Sequence, residues 1–332
     1  MLFVNRWLSR RHKIGIEVSS DSIKMVQIKR QRAELVLWRW GKVTIPVNVV
    51  EGGLVLDSEQ LAKAMGQLFS SVGVKNPGIM AAIPGQQVVI RHLKLPMMPW
   101  KELKNAVHFH ALSFLPLSPE ETVVDFIPLL GDREFTFSPG KHQSMEVLTV
   151  ATRRSVVQGW AESFIRAGGT PLALEIEPLA LSRTLQTSRL RHKEPSNYLL
   201  ANLNAQLAQI SIFKEGILRY NRVLTISAEI WNPASGGGSA FSNRTATEIW
   251  KLVEYYQMEN PNEPIEQVYL TGEGMQQLIT DQLTRRLNIP VQQLDPLAGL
   301  KIPFATPEDL EELRTSYGVA LGLAIRGAVT GV

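Results

Sequence analysis

The sequence predicts an α/β fold in which one structural unit occurs twice. Two segments have the pattern of a three-stranded antiparallel meander, and the second begins about 185 residues after the first. In each segment a short polar turn joins two strands of alternating apolar residues, and runs with helical periodicity follow. A repeat of this kind indicates two similar α/β halves.

The first meander opens the predicted folded region. Residues 13–18 and 23–28 alternate apolar and polar side chains, and the turn 19–22 between them consists of serine and aspartate. Residues 34–45 are predicted as the third strand. The turn is either an ordinary surface hairpin or a phosphate site, because such turns present amide and hydroxyl groups.

A helix and a buried strand are predicted next. Residues 46–57 are interpreted as a loop. The helix covers 57–72, since Asp57 is a favourable N-cap and Gly73 a favourable stop. Residues 78–83 form a short, fully apolar run that is typical of a buried strand.

A different unit follows the turn signal Pro84-Gly85, which marks a candidate domain boundary. Its predicted elements are a strand (88–95), a helix (99–114), two strands (122–130 and 146–152) and a helix (153–167). A strand (172–176) and a helix (178–187) are predicted after it. The polar run 188–196 is interpreted as a linker.

The second meander and the C-terminal region complete the pattern. The predicted elements are strands (198–203, 207–213 and 217–226), a flexible connector (235–239), a helix (245–258), a strand (268–270), a glycine-containing turn (272–275), a helix to about residue 287, a strand (291–294) and one final helix from residue 307.

Composition excludes several classes of protein. The chain has 332 residues, a net charge of +4 and no cysteine, so we expect neither a disulfide framework nor a nucleic-acid-binding surface. No apolar run reaches the ~18 residues of a membrane span, and no signal peptide is evident. His108 and His110 are two residues apart on a predicted helix and cannot chelate one metal ion. We therefore expect a cytoplasmic protein without a metal centre.

The first twelve residues are basic and amphipathic. If they are helical, Phe3 and Trp7 share one side, while Arg10 and Arg11 lie elsewhere. Such a segment can rest on an anionic membrane surface, although it can equally be a frayed basic tail.

Several blocks of sequence resemble one family. The opening strand-turn-strand reads GIEVSSDSIKMVQI, which is similar to the GIDIGSSSIK opening of the type IV pilus assembly platform protein PilM. Further blocks that resemble this family, in its order, are LPMMPWKELKNAVHFHALSFLPLSPEETVVDF, ATRRSVVQGWAESFIRAGGTPLALEIEPLAL, VYLTGEGMQQLITDQLTRRLNIPVQQLDPL and YGVALGLAIR. Together these blocks cover most of the chain.

The resemblance implies an actin-like fold of duplicated ribonuclease-H-type domains, as in the cell-division protein FtsA, with a 1C insertion and a reduced 2B subdomain. The implied divisions are a basic amphipathic tail (1–12), subdomain 1A (13–83 and 169–195, with the C-terminal helix 307–332), subdomain 1C (84–168), subdomain 2A (196–228 and 265–306) and a 2B remnant (229–264).

The resemblance also implies a nucleotide site between the halves. By match, the nucleotide-binding positions are Ser19, Ser20, Ser22, Lys24, Asn204, Gln206, Gly272, Glu273, Gly274 and Met275. The matching cleft carboxylates are Glu17 and Glu177.

This chain departs from the family pattern in two ways. Ser19 and Asn204 replace glycines, which adds a Cβ where phosphate should approach, and Asn202 replaces an aspartate that would help to hold Mg²⁺. We therefore expect a degenerate nucleotide site with no required cofactor, ATP with Mg²⁺ remaining an alternative, and no enzymatic activity.

The implied function is that of a scaffold in the inner-membrane platform of the type IV pilus. Its expected partner is the N-terminal cytoplasmic tail of a bitopic PilN-like protein, with other platform proteins as further candidates. The residues expected to form the tail-binding groove are Val89, Leu93, Leu95, Val107, Ala111 and Leu112. They can also be simple core residues. The alternatives are an ATP-binding enzyme of the actin and sugar-kinase superfamily and an FtsA-like membrane-tethered filament protein.

Overall fold

The computed structural model describes most of the chain. The described residues are 12–115, 117–130, 143–189, 195–204, 207–225, 237–273 and 276–329. They form two large mixed sheets, one smaller antiparallel sheet and the helices that cover them.

The first large sheet has six strands and contains the first meander. In spatial order they are β10 (Thr170–Ile176), β6 (Gly78–Ile83), β1 (Lys13–Val18), β2 (Ser22–Gln31), β3 (Glu34–Thr44) and β16 (Leu300–Lys301). β1 pairs antiparallel with β2 and parallel with β6, so it lies at the centre. Ile14 and Ile16 are consequently almost fully buried.

The second large sheet repeats this arrangement with five strands. In spatial order they are β13 (Ile217–Thr225), β12 (Leu207–Lys214), β11 (Asn197–Leu203), β14 (Gln267–Thr271) and β15 (Val291–Gln293). β11 pairs antiparallel with β12 and parallel with β14, as β1 does with β2 and β6. The duplication predicted from the sequence is therefore present.

Helices cover the first sheet on both faces. They are α1 (Ser58–Val72), α3 (Arg154–Arg166), α4 (Glu177–Arg189), α7 (Pro307–Ser316) and α8 (Gly318–Val329). The Asp57 carboxylate accepts hydrogen bonds from the backbone N–H groups of Glu59 and Gln60, and Gly73 ends α1 at φ 71°. Both predicted ends of this helix are confirmed.

Small residues let α8 pack closely against its own half of the protein. A Cβ at Gly15 would lie 2.2 Å from the carbonyl oxygen of Ala320, and one at Gly322 would lie 1.8 Å from that of Ala180. α8 is therefore in backbone contact with β1 and with α4. The small residues of this helix serve packing within the chain.

The inserted unit is a three-stranded antiparallel sheet with one helix. Its strands are β7 (Val88–Pro96), β9 (Ser144–Arg153) and β8 (Thr122–Leu129), with β9 in the middle, and its helix is α2 (Trp100–Phe114). α2 covers one face, where Leu103 and Val107 are buried against Met145 and Val147. The other face packs on the second half, because Leu148 shares a core cluster with Phe213.

The second half has two helices of its own, α5 (Gly237–Glu259) and α6 (Gln276–Arg286). The flexible connector predicted over 235–239 is wrong in part, since residues 237–239 belong to α5. Ser242 and Ala246 of α5 are fully buried, and this packing outweighs the poor helix propensity of glycine.

Two further expectations are corrected. The predicted loop 46–57 contains a small hairpin of β4 (Val50–Glu51) and β5 (Leu54–Val55), held by contacts to distant residues. The single final helix is two helices, because Tyr317 leaves helical geometry at φ −106° and ψ 12° and buries its ring in the core. Within the described residues, no helix is both long enough and apolar enough to span a bilayer.

Candidate functional site

A cavity of about 250 Å³ lies between the two halves, beside the ends of β1 and β11. It is lined by predicted site residues from distant parts of the chain, namely Glu17, Ser19, Ser20, Lys24, Glu177, Asn204 and Glu273. The structure therefore brings together residues that sequence matching alone had grouped.

Two of the three serine hydroxyl groups of the turn are already hydrogen-bonded within it. Ser19 and Ser22 both donate hydrogen bonds to the Asp21 carboxylate, over 2.7 and 3.0 Å. Burial raises the pKa of Asp21, but these hydrogen bonds outweigh burial and the net effect is a lowered pKa. A phosphate at this turn would have to compete with a carboxylate that stays ionised. Ser22 itself is buried and does not line the cavity.

An ion pair joins the two halves across the cavity. Lys24 Nζ on β2 lies 2.8 Å from Glu273 Oε1, which follows β14, and the lysine side chain is only 6% exposed. Burial lowers the pKa of Lys24, but the negative charges of Glu17 and Glu273 more than compensate, so its pKa is raised. Lys24 is thus held as a cation whose charge is already balanced.

Two carboxylates at the cavity form no ion pair with any residue that the structure describes. Glu17 accepts a hydrogen bond from the backbone N–H of Ala320, and Glu177 accepts one from that of Gly85, both over 3.3 Å. Burial raises the pKa of Glu17, and Lys24 opposes this. Burial and the charge of Glu17 together raise the pKa of Glu177 to about 7. The pKa of Glu177 therefore lies near neutral pH.

The glycine in the turn after β14 has a structural explanation. Gly272 has φ +106°, and a Cβ there would lie 2.1 Å from the carbonyl oxygen of Leu203. Only glycine fits this close approach of two backbones, so its presence does not by itself indicate adenosine binding. Three other predicted nucleotide positions, Gln206, Gly274 and Met275, lie outside the described residues.

The cavity is small, and its lining is acidic. Its volume of about 250 Å³ is below the ~300 Å³ at which small-molecule pockets usually begin. Its lining carries four carboxylates and one lysine, and that lysine is paired. Across the part of the chain that the structure describes, no cluster of three or more histidine, aspartate or glutamate residues could hold a metal ion.

The predicted groove residues lie on β7 and α2. Val107, Ala111 and Leu95 are at most 5% exposed and belong to the core of the inserted unit. Val89, Leu93 and Leu112 are partly exposed. The partly exposed side chains are accessible to a bound peptide, whereas the buried ones are not.

Sequence inspection missed part of the cavity wall. Gly52, Gly53, Pro84 and Gln86 line it, although they lie in a predicted loop and at a predicted boundary. The available signals were the Gly-Gly and Pro-Gly pairs, which mark turns but do not say what the turns face. The predicted membrane-surface residues Phe3, Trp7, Arg10 and Arg11 lie outside the described residues.

Comparison with known proteins identifies a family and a fold. The sequence matches the family described as type IV pilus assembly protein PilM over residues 15–227 and 239–328. The structure is similar to one from a PilM–PilN type IV pilus biogenesis complex, with a TM-score of 0.81, 22% identity, and coverage of 97% of this chain and 100% of that chain.

Two more distant structures share the fold. One is a Bacteroides thetaiotaomicron protein described as having an actin-like ATPase fold and unknown function, at TM-score 0.50 and 12% identity, covering 97% of this chain and 98% of that chain. The other is the ethanolamine utilization protein EutJ from Carboxydothermus hydrogenoformans, at TM-score 0.50 and 12% identity, covering 94% of this chain and 89% of that chain. The expected actin-like fold is confirmed.

Proposed function

The chain belongs to the family of type IV pilus assembly proteins PilM, and on that premise we propose that it is a scaffold of the inner-membrane platform of the type IV pilus. Its partner is the N-terminal cytoplasmic tail of a bitopic PilN-like protein. The observation that carries the proposal is the family match over nearly the whole chain, supported by the similarity to the PilM–PilN complex structure.

The tail binds in the layer between β7 and α2. Leu93 and Leu112 are apolar and partly exposed, whereas Val107 and Ala111 are buried. β7 is an edge strand of its sheet, so an extended peptide can pair with its backbone while placing apolar side chains against α2. This chemistry favours a short apolar segment of a partner chain.

The protein works by binding and not by turnover. The acidic composition of the cavity and the Lys24–Glu273 pair support a degenerate nucleotide site with no required cofactor. The subdomain limits inferred from the family remain part of this proposal, as does a position at the inner face of the cytoplasmic membrane. The basic N-terminal tail would contribute a peripheral contact there.

The test is capture of a synthetic peptide with the sequence of a PilN-like N-terminal tail. We expect Leu93→Asp and Leu112→Asp each to weaken binding by about tenfold or more, because a charge replaces an apolar contact. The matched control is Met258→Asp on α5, where the side chain is 71% exposed in the other half of the protein. If both groove variants stay folded and capture the peptide as wild type does, the groove is wrongly assigned. If the wild type captures no tail at all, the partner is wrong.

A further inference from the structure

One short turn contacts the cavity, both halves of the protein and the inserted sheet. It is the single helical turn Gly85–Gln87, which lies between β6 and β7. Its backbone leads directly into the strand that carries Val89 and Leu93.

The turn is anchored to the cavity at its first residue. The backbone N–H of Gly85 donates a hydrogen bond to Glu177 Oε2 over 3.3 Å, and Pro84 and Gln86 form part of the cavity wall. Glu177 also faces the carboxylate of Glu17, with Lys24 on the next strand. The strength of the anchor depends on the charge of Glu177, because a hydrogen bond to an ionised carboxylate is roughly twice as strong as one to a neutral group.

The same turn is in close contact with the second half. A Cβ at Gly85 would lie 2.5 Å from Gln209 Nε2 on β12 and 2.8 Å from Val223 Cγ2 on β13. The Gln209 amide is buried and has no hydrogen-bond partner among the described residues. A movement of one half relative to the other would therefore change the packing around Gly85 directly.

The last residue of the turn holds the inserted sheet and the small hairpin together. Gln87 Nε2 donates to the carbonyl oxygen of Gly52 over 2.7 Å, and the Gln87 carbonyl accepts from Thr152 Oγ1 on β9 over 2.6 Å. Val88 then pairs with Thr152, and Val89 with Ala151. Only three residues along the chain lie between the anchor at Gly85 and the proposed groove at Val89.

We propose that the Gly85–Gln87 turn couples the cavity to the peptide groove, so that the charge of Glu177 changes the order of β7 and hence peptide affinity. The ionised carboxylate holds the turn and keeps the N-terminal end of β7 ordered. A neutral group at residue 177 loosens both. The effect on peptide affinity depends on the function proposed above, whereas the effect on the turn does not.

The test is amide hydrogen exchange over residues 84–91 of the full chain. Glu177→Gln copies the neutral acid, and Gln87→Ala removes the bond to Gly52 without altering the cavity carboxylates. We expect Gln87→Ala, which loses one hydrogen bond, to accelerate exchange in this segment by about tenfold, and Glu177→Gln, which weakens one, to accelerate it by about threefold. The control is Glu254→Gln, the same chemical change on the exposed surface of α5. Unchanged exchange in both variants would refute the coupling.

Peptide affinity is measured on the same proteins with the synthetic tail peptide. We expect Glu177→Gln to weaken binding by about threefold to tenfold and to add little further loss when combined with Gln87→Ala, because both act through one turn. If wild type binds the peptide and Glu177→Gln binds it equally well, the link to the groove is refuted. If wild type binds no peptide, the proposed partner fails, and the exchange measurement still decides whether the turn responds to Glu177. Should Glu177→Gln fail to fold, Gln87→Ala still tests whether loosening the turn weakens peptide binding, and equal affinity of Gln87→Ala and wild type would refute that link.

Discussion

Replacing Glu177 by glutamine should remove a specific part of the pH dependence of stability. Its pKa rises from an ordinary 4.5 to about 7 in the folded protein, chiefly because of burial and then because of Glu17. The folded state therefore binds more protons than the unfolded state between these values, and the contribution of Glu177 to stability falls as pH rises through this window. The pKa difference corresponds to an upper limit of about 3 kcal/mol in the free energy of unfolding.

The assay is urea unfolding of wild type and Glu177→Gln at about pH 5 and at about pH 8. From pH 5 to pH 8, the free energy of unfolding of the variant should rise by up to about 3 kcal/mol relative to that of the wild type, because glutamine carries no charge to bury. Glu254→Gln, on the exposed surface of α5, should track the wild type at both. An equal stability difference between wild type and Glu177→Gln at both pH values would show that the carboxylate is not buried as described.

Three further predictions concern stability and ligand binding. Glu175 is 9% exposed and accepts hydrogen bonds from Arg183 over 2.7 and 3.1 Å and from Arg326 over 2.5 Å. Glu175→Gln should therefore lower the free energy of unfolding, measured in urea, by about 3 kcal/mol, and a decrease below ~1 kcal/mol would contradict this. Gly272→Ala should lower the unfolding free energy by about 2 to 4 kcal/mol, since its Cβ would collide with the backbone of Leu203, and an unchanged thermal midpoint would disprove the collision. Calorimetric titration with Mg-ATP should show no micromolar binding, because Lys24 is paired with Glu273 and the cavity is acidic; saturation at ~10 μM would overturn the degenerate-site proposal.

The proposed tail-binding groove shows what periodicity in a sequence does not predict. Alternation along 88–95 and helical periodicity along 99–114 correctly predicted β7 and α2. Periodicity shows that two sets of side chains share a face, but not how deep each lies once the strand and helix meet. Packing buries Val107 and Ala111 completely and leaves Leu112, one residue further on, partly exposed.

The cavity shows a second limit of prediction from sequence. The family match selected Lys24 and Glu273, yet nothing in the sequence indicates that they bind one another, because they are 249 residues apart. Similarly, the Pro84-Gly85 pair predicts a turn, but its hydrogen bond to Glu177 depends on how β6 and α4 are placed. Such contacts follow from the assembled fold and leave no periodic signal.

The sequence by itself determined the local structure and the duplication. Alternation, helix caps such as Asp57 and Gly73, and the repeated meander are properties of neighbouring residues, and each matches the structure. Only the tertiary structure decided that the serine turn binds its own aspartate and that Lys24 pairs with Glu273. It also decided that residues 85–87 connect the cavity to β7. The physical reason is that burial and charge pairing depend on which distant segments pack together, and a linear pattern does not contain that information.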